Sequence, residues 1–193
     1  MLTVIIPVFN EEKTIAALIA KVDSLPVEKE IIVIDDCSKD KTAVILSSLA
    51  LSYLKVIHHA SNRGKAAAAR TGIQNATQEF LIILDAGSKC DLNDYLKLLE
   101  AIKSQAADIA LGVRLAKADN PKPAKKPGNC LAACLLNIFF GVKLSGWFTP
   151  CRLMRTESLL SLALELKRAN IELEILAKAI RKKMRIIEVP LFK

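Results

Sequence analysis

Metal-ligand clusters, paired cysteines and long apolar runs are what this chain has little of. Only two of its 193 residues are histidine (His58 and His59), and its five cysteines (Cys37, Cys90, Cys130, Cys134 and Cys151) are irregularly spaced. No C-x-x-C pair occurs and the cysteine count is odd, which argues against a Cys/His zinc site and against a disulfide scaffold. Seven glycines and seven prolines exclude a collagenous or low-complexity chain. No apolar run approaches the roughly 20 residues of a spanning helix. The longest candidate, Leu131 to Val142, is interrupted by Asn137 and Gly141. Both G-x-G-x-x-G and G-x-x-x-x-G-K-[ST] are absent, so neither a nicotinamide-dinucleotide fingerprint nor a P-loop is present. Aromatics are 5% of the residues, and no nucleic-acid recognition module or stacking platform is recognisable. The opening MLTVIIPVFNEE has no basic leader and reads as a strand rather than a signal peptide.

Apolar residues make up 52% of the chain. A chain of this length buries roughly 70% of its extended surface on folding, so a single domain over residues 1–193 is expected. Charge is unevenly spread. Residues 1–112 hold 12 basic and 14 acidic side chains, a net of −2, whereas residues 113–193 hold 16 basic and 6 acidic, a net of +10. The basic excess therefore lies entirely in the second part, in clusters such as Lys122-Lys125-Lys126 and Arg181-Lys182-Lys183-Arg185. Such asymmetry suits a face that meets polyanions (phosphates, anionic lipid or nucleic acid), and for these clusters equally a solvated face.

Short apolar runs alternate with helical patterns. Strands are expected over 3–7, 30–34, 54–57, 80–84, 109–111 and 185–189. Helices are expected over 11–22 with Asn10 as N-cap, and over 41–49, 62–73, 91–104 and 129–140. Two more are expected over 156–168 and 170–183, with Thr156 and Asn170 as N-caps. Alternation of this kind implies a mostly parallel sheet covered on both faces. Ligands of open α/β sheets bind outside the carboxyl ends of strands. Three strand ends here carry polar signatures: Pro7 to Glu11, Asp35-Asp36 and Asp85-Ala86-Gly87. A shared pocket accounts for all three, although acids also punctuate strands and cap helices. Residues 116–128 read as a loop, their ADNPKPAKKPG stretch alone holding three prolines and three lysines.

The ordered segments IIPVFNEEKTI, EIIVIDDCSKDKT, NRGKAAAARTGI, LIILDAGSKCD, GVR and ELEILAKAIRKKMRIIEVP resemble family 2 glycosyltransferases of the GT-A fold. The likeness covers essentially the whole chain, and its type is that of dolichol-phosphate or polyprenyl-phosphate mannose and glucose synthases. It implies an α/β, Rossmann-like, mixed and mostly parallel sheet. Residues 1–112 would then form the nucleotide-binding part and residues 113–193 a basic acceptor side. The resemblance implies transfer from a GDP- or UDP-hexose to a lipid-linked polyprenyl phosphate with inversion. It assigns Pro7, Phe9, Glu11, Ile34 and Asp36 to base and ribose, joined by Asp85 and Ala86. Phe9 offers an apolar surface to a flat base, and a carboxylate can accept from a base N–H or a ribose hydroxyl. Asp85, Lys89 and Arg114 fall to diphosphate and sugar, and Lys125, Lys126 and Arg152 to the acceptor phosphate. Lys65, at a helix start, is either a further phosphate-side cation or a plain surface lysine.

The family's Asp-x-Asp element holds Mg²⁺ or Mn²⁺ against the diphosphate, with Asp85 as the first ligand. Here Gly87 stands for the second aspartate and Lys89 for a nearby polar ligand. Two readings stay open: the Lys89 ammonium replaces the ion, or the site is degenerate and the chain is a non-catalytic binding or scaffold protein. Asp91 is either a late ligand or a helix cap. Glu174 is either a retained family acid or the i,i+4 partner of Lys178. Trp147 and Phe148 are either acceptor contacts or core. The apolar helix at 129–140, flanked by lysines, packs on the sheet, joins a homodimer or lies on a membrane surface. A cytoplasmic protein, peripheral on the inner membrane face, is the corresponding expectation.

Overall fold

The computed structural model describes residues 1–85, 91–114, 127–165 and 171–191. Its strands are β1 (Leu2–Val8), β2 (Lys29–Asp35), β3 (Leu54–His58), β4 (Phe80–Ile83), β5 (Ile109–Arg114), β6 (Arg152–Arg155) and β7 (Ile186–Leu191). Its helices are α1 (Ile15–Asp23), α2 (Thr42–Ser48), α3 (Lys65–Asn75), α4 (Leu92–Ser104), α5 (Pro127–Phe140), α6 (Thr156–Ser161) and α7 (Ile171–Arg181). The strands form one sheet in the order β3-β2-β1-β4-β6-β5-β7. Every pairing is parallel except those of β6, which runs antiparallel to both β4 and β5. The sheet is thus mixed and mostly parallel, as expected.

Alternation along each strand divides the core into two layers. Val4, Ile6 and Val8 of β1 pack with Ile15, Ile19 and Val22 of α1, Leu46 of α2 and Tyr95, Leu98 and Ile102 of α4. Ile5 of the same strand faces the other way. It joins Ala68, Ala69 and Ile73 of α3, Ala133 of α5, Leu159 of α6 and Ile175 and Leu176 of α7. The run of small residues in α3 has a packing reason. A Cβ on Gly72 would lie 2.3 Å from Ile5 Cγ2 and 2.8 Å from Ile34 Cδ1, so glycine lets the helix sit on the sheet.

Several local expectations are corrected. Helix α1 begins at Ile15, with Thr14 rather than Asn10 in the cap position. Asn10 has φ 56°, a left-handed conformation that asparagine tolerates, and serves a loop instead. Strand β6 went unread because RLMR is four residues long and ends in arginines; its Leu153 and Met154 face opposite layers. Helix α6 spans only six residues and starts after Arg155, so Thr156 is its first residue and not its cap. Asp91, by contrast, does cap α4, its side chain accepting from Asn93 N–H at 3.0 Å. Asn170 lies outside the described residues.

Candidate functional site

A crevice opens where β1 parts from β4. These strands pair only from Leu2↔Phe80 to Ile5↔Ile83, and the Leu84 N–H still reaches Ile5 O at 2.8 Å. Pro7 comes next on that side of β1. It has no N–H, and none is needed where β4 has left the ladder. On the other side β1 stays zipped to β2 as far as Val8↔Asp35, and the Asp36 N–H donates to Val8 O at 2.9 Å. Strand order runs outward in both directions from this point, which is where open α/β sheets bind ligands. A cavity of about 390 Å³ occupies it, lined by Pro7, Phe9, Glu11, Asp36, Lys65 and Asp85 among others.

Two loops wall the crevice and are stitched together. Asn10 N–H donates to Ser38 Oγ at 2.9 Å, while Asn10 Oδ1 accepts from Lys39 N–H at 2.8 Å. Glu11 N–H donates to Thr42 Oγ1 at 2.8 Å and Glu12 N–H to Asp40 Oδ2 at 3.0 Å. Glu12 Oε2 in turn accepts from Lys41 N–H at 3.1 Å. These polar runs therefore serve main-chain groups that no strand or helix satisfies. Phe9 is left 42% exposed at the rim.

Asp36 organises the third wall. It is buried, and its carboxylate accepts from Arg63 N–H at 3.0 Å and Gly64 N–H at 2.7 Å. His59 Nδ1 lies 2.6 Å from Asp36 Oδ1, and its Nε2 lies 2.9 Å from Thr71 Oγ1. Burial opposes the charge on Asp36. The two N–H groups and His59 outweigh it and hold the carboxyl below its ordinary value. These bonds place Gly64, at φ 86°, directly before α3, so that the helix N-terminus opens on the cavity. Its first bond back runs from Ala68 N–H to Gly64 O.

Lys65, the first residue of α3, carries its ammonium 2.6 Å from Asp85 Oδ2 and 3.7 Å from Glu172 Oε1. Asp85 lines the main cavity. It also lines a recess of about 30 Å³ with Ile83, Pro150, Arg152, Met154 and Glu172. Asp85 thus stands between the crevice and the start of α7.

Of the residues singled out from sequence, Pro7, Phe9, Glu11, Asp36 and Asp85 are brought together. Ile34 is fully buried and packs beneath α3 rather than lining the cavity. Arg114 ends β5 on the same sheet edge as Asp85, two strand positions away, or about 10 Å by strand spacing. Arg152 is buried, with Nε donating to Thr149 O at 2.7 Å, Nη1 to Glu172 O at 2.8 Å and Nη2 to Trp147 O at 2.5 Å. Burial pushes it down to about 10, which leaves it charged at neutral pH. Its guanidinium ties the loop before β6 to α7, a structural task that the acceptor-phosphate expectation did not foresee. Ala86, Gly87, Lys89, Lys125 and Lys126 lie outside the described residues.

Glu174 and Trp147 both take scaffold positions. Glu174 Oε1 sits 2.9 Å from Lys178 Nζ and accepts from Glu165 N–H at 2.7 Å. Trp147 is fully buried. Sequence reasoning passed over Asn62, Gly64 and His59. The signal for His59 was there: adjacent acids end β2, adjacent imidazoles end β3, and Asp35 pairs with His58 in register.

The divalent ion that the resemblance implies needs several oxygen ligands. Asp85 is already ion-paired, Asp91 is spent on the α4 cap, and residues 86–90 read Ala-Gly-Ser-Lys-Cys. Among the described residues no group of three or more His, Cys, Asp or Glu could hold an ion. Among the described residues the donor set does not fit a resident divalent cation.

Comparison with known proteins agrees with this architecture. The dolichol-phosphate mannosyltransferase of Pyrococcus furiosus is 33% identical over 118 residues, covering 60% of this chain and 33% of that enzyme. The dolichyl-phosphate beta-glucosyltransferase of Saccharomyces cerevisiae is 28% identical over 220 residues, covering 98% of this chain and 66% of that enzyme. The chain therefore spans a third to two thirds of the length of these relatives. S. aureus TarS, solved in complex with UDP-GlcNAc, superimposes with a TM-score of 0.71 at 23% identity, over 100% of this chain and 58% of that one. Residues 3–160 match the glycosyl transferase family 2 profile, and the chain belongs to that family.

Proposed function

We propose that this protein moves a hexose from a nucleoside diphosphate (GDP or UDP) to a lipid-linked polyprenyl phosphate, with inversion at the anomeric carbon. The observation that carries this reading is the crevice between β1 and β4, where an aromatic edge, carboxylates and a lysine at a helix N-terminus converge. Phe9 meets the base, Glu11 accepts from the ribose hydroxyls and Asp36 rigidifies the wall around them. Diphosphate and sugar lie toward Asp85, with Arg114 ending β5 on the same edge of the sheet; Ala86 and Lys89 follow Asp85 in sequence. The names of the relatives from Pyrococcus furiosus and yeast support a lipid phosphate as acceptor. Such a phosphate is already an anion, so its oxygen can displace the nucleoside diphosphate without a general base.

The acceptor would be met at a membrane surface. Helix α5 packs Ala133, Leu136 and Phe140 inward and leaves Leu131, Leu135, Ile138 and Phe139 exposed. Arg181 lies over the Phe140 ring at 6.0 Å, and Lys122, Lys125 and Lys126 precede the helix in sequence. An apolar stripe with basic flanks suits an anionic leaflet, at roughly 1 kcal/mol per basic residue. No helix among the described residues is long and apolar enough to cross a membrane.

The test is transfer of radiolabelled hexose from GDP- and UDP-sugars into an organic-extractable polyprenyl-phosphate product, in anionic vesicles. A β-linked product from an α-linked donor is expected, with Asp85→Asn strongly impaired. Nucleotide binding with no transfer to any lipid phosphate would replace this reading with that of a binding protein on the same fold.

A further inference from the structure

The donor set leaves open how this site neutralises a diphosphate. One cation is built into it. The Lys65 ammonium is held 2.6 Å from Asp85 and 3.7 Å from Glu172, and Lys65 itself lines the 390 Å³ cavity. Three independent pieces of the fold fix that position. Asp36 clamps Arg63 N–H and Gly64 N–H, which sets where α3 starts. Gly72 lets α3 lie close on β1. The Arg152 guanidinium holds the Glu172 main chain at the start of α7.

We propose that Lys65 is the diphosphate-binding cation of this site, with its ammonium, backed by the N-terminus of α3, standing where relatives of this fold would place a divalent ion. The inference rests on the donor reading above. A lysine binds phosphate as a point charge. The N–H groups of residues 65–67 precede the first helical bond and add the positive end of an 11-residue helix. Asp85 and Glu172 are then positioning residues: they hold the ammonium extended toward the crevice before ligand arrives, which lowers the ordering cost of binding. Lys89, the sequence's first candidate for this task, is no longer needed for it. Asp85 keeps one carboxylate oxygen that Lys65 does not occupy, and its pairing prevents uncompensated repulsion of the entering anion.

The experiment is calorimetric titration of UDP and of GDP, each with EDTA and with Mn²⁺, on the wild type, Lys65→Met and Lys65→Arg. For whichever nucleotide binds, affinity is expected to be the same within about twofold with EDTA and with Mn²⁺. Lys65→Met should lose about tenfold to a hundredfold for the diphosphate while affinity for the matching nucleoside is unchanged. Lys65→Arg should recover part of the loss. Lys65 is half exposed, so Lys65→Met should fold, and urea unfolding checks that it does. Binding that requires Mn²⁺, or a Lys65→Met protein that folds and binds the diphosphate normally, overturns the inference and leaves the donor reading standing. Failure of both nucleotides with and without Mn²⁺ overturns the inference and the donor reading together.

Discussion

Replacing Asn137 by alanine isolates the polar pin that joins α5 to the loop before β6. Asn137 Oδ1 accepts from Trp147 Nε1 at 2.7 Å and from Leu144 N–H at 3.0 Å, while Nδ2 donates to Leu144 O at 2.9 Å. Trp147 is fully buried, so its indole N–H cannot turn to water once the amide is gone. An unsatisfied buried donor costs about 1–3 kcal/mol. The Leu144 groups are only partly buried and rehydrate, adding up to about 1 kcal/mol. Alanine regains about 0.5 kcal/mol of helix propensity near the end of α5. The net expectation is a loss of about 0.5–3.5 kcal/mol, read as a lower urea midpoint at unchanged slope. Trp147 is the single tryptophan, so its emission should also shift as the loop loosens. Trp147→Phe removes the donor, and in that background Asn137→Ala should cost at least about 1 kcal/mol less. A loss under about 0.5 kcal/mol in the wild-type background, with unaltered emission, would refute the reasoning.

Three more outcomes follow from the same geometry. Asp36 has a folded-state carboxyl held below its ordinary 3.8, so the stability it contributes is fully present above that value and is lost as pH falls through the lower folded one; Asp36→Asn should flatten the fall in urea midpoint between neutral and acid pH. Gly72→Ala sets about 1 kcal/mol of helix propensity against a Cβ placed 2.3 Å from a stiff, buried isoleucine. Overpacking should win by about 1–2 kcal/mol in thermal unfolding, and a stabilised variant would contradict the close approach. Arg152→Lys keeps the charge but cannot reach three carbonyls in a fork, so a loss of about 2–4 kcal/mol is expected by urea unfolding.

The order of elements was legible because each apolar run had one job. Runs such as IIPV and IIVID, short and bounded by polar residues, suit buried parallel strands, and their polar ends line the crevice between β1 and β4. That is why three polar strand ends stood out by local pattern, while the choice of Pro7, Phe9, Glu11, Asp36 and Asp85 within them came from the family resemblance. What the amino acids could not declare is which polar group meets which. Arg152 and Lys65 are both cations beside motif residues. One is buried under three carbonyls and the other faces a cavity, a difference made by where β6 and α3 pack. Asn137 looks like a flaw in an apolar helix until Trp147 arrives from ten residues away. Local propensity acts over a few residues and writes the strands and helices. Long-range hydrogen bonds and burial depend on the crossing of elements far apart in sequence, and they alone decided which charges are buried in the scaffold and which face the cavity.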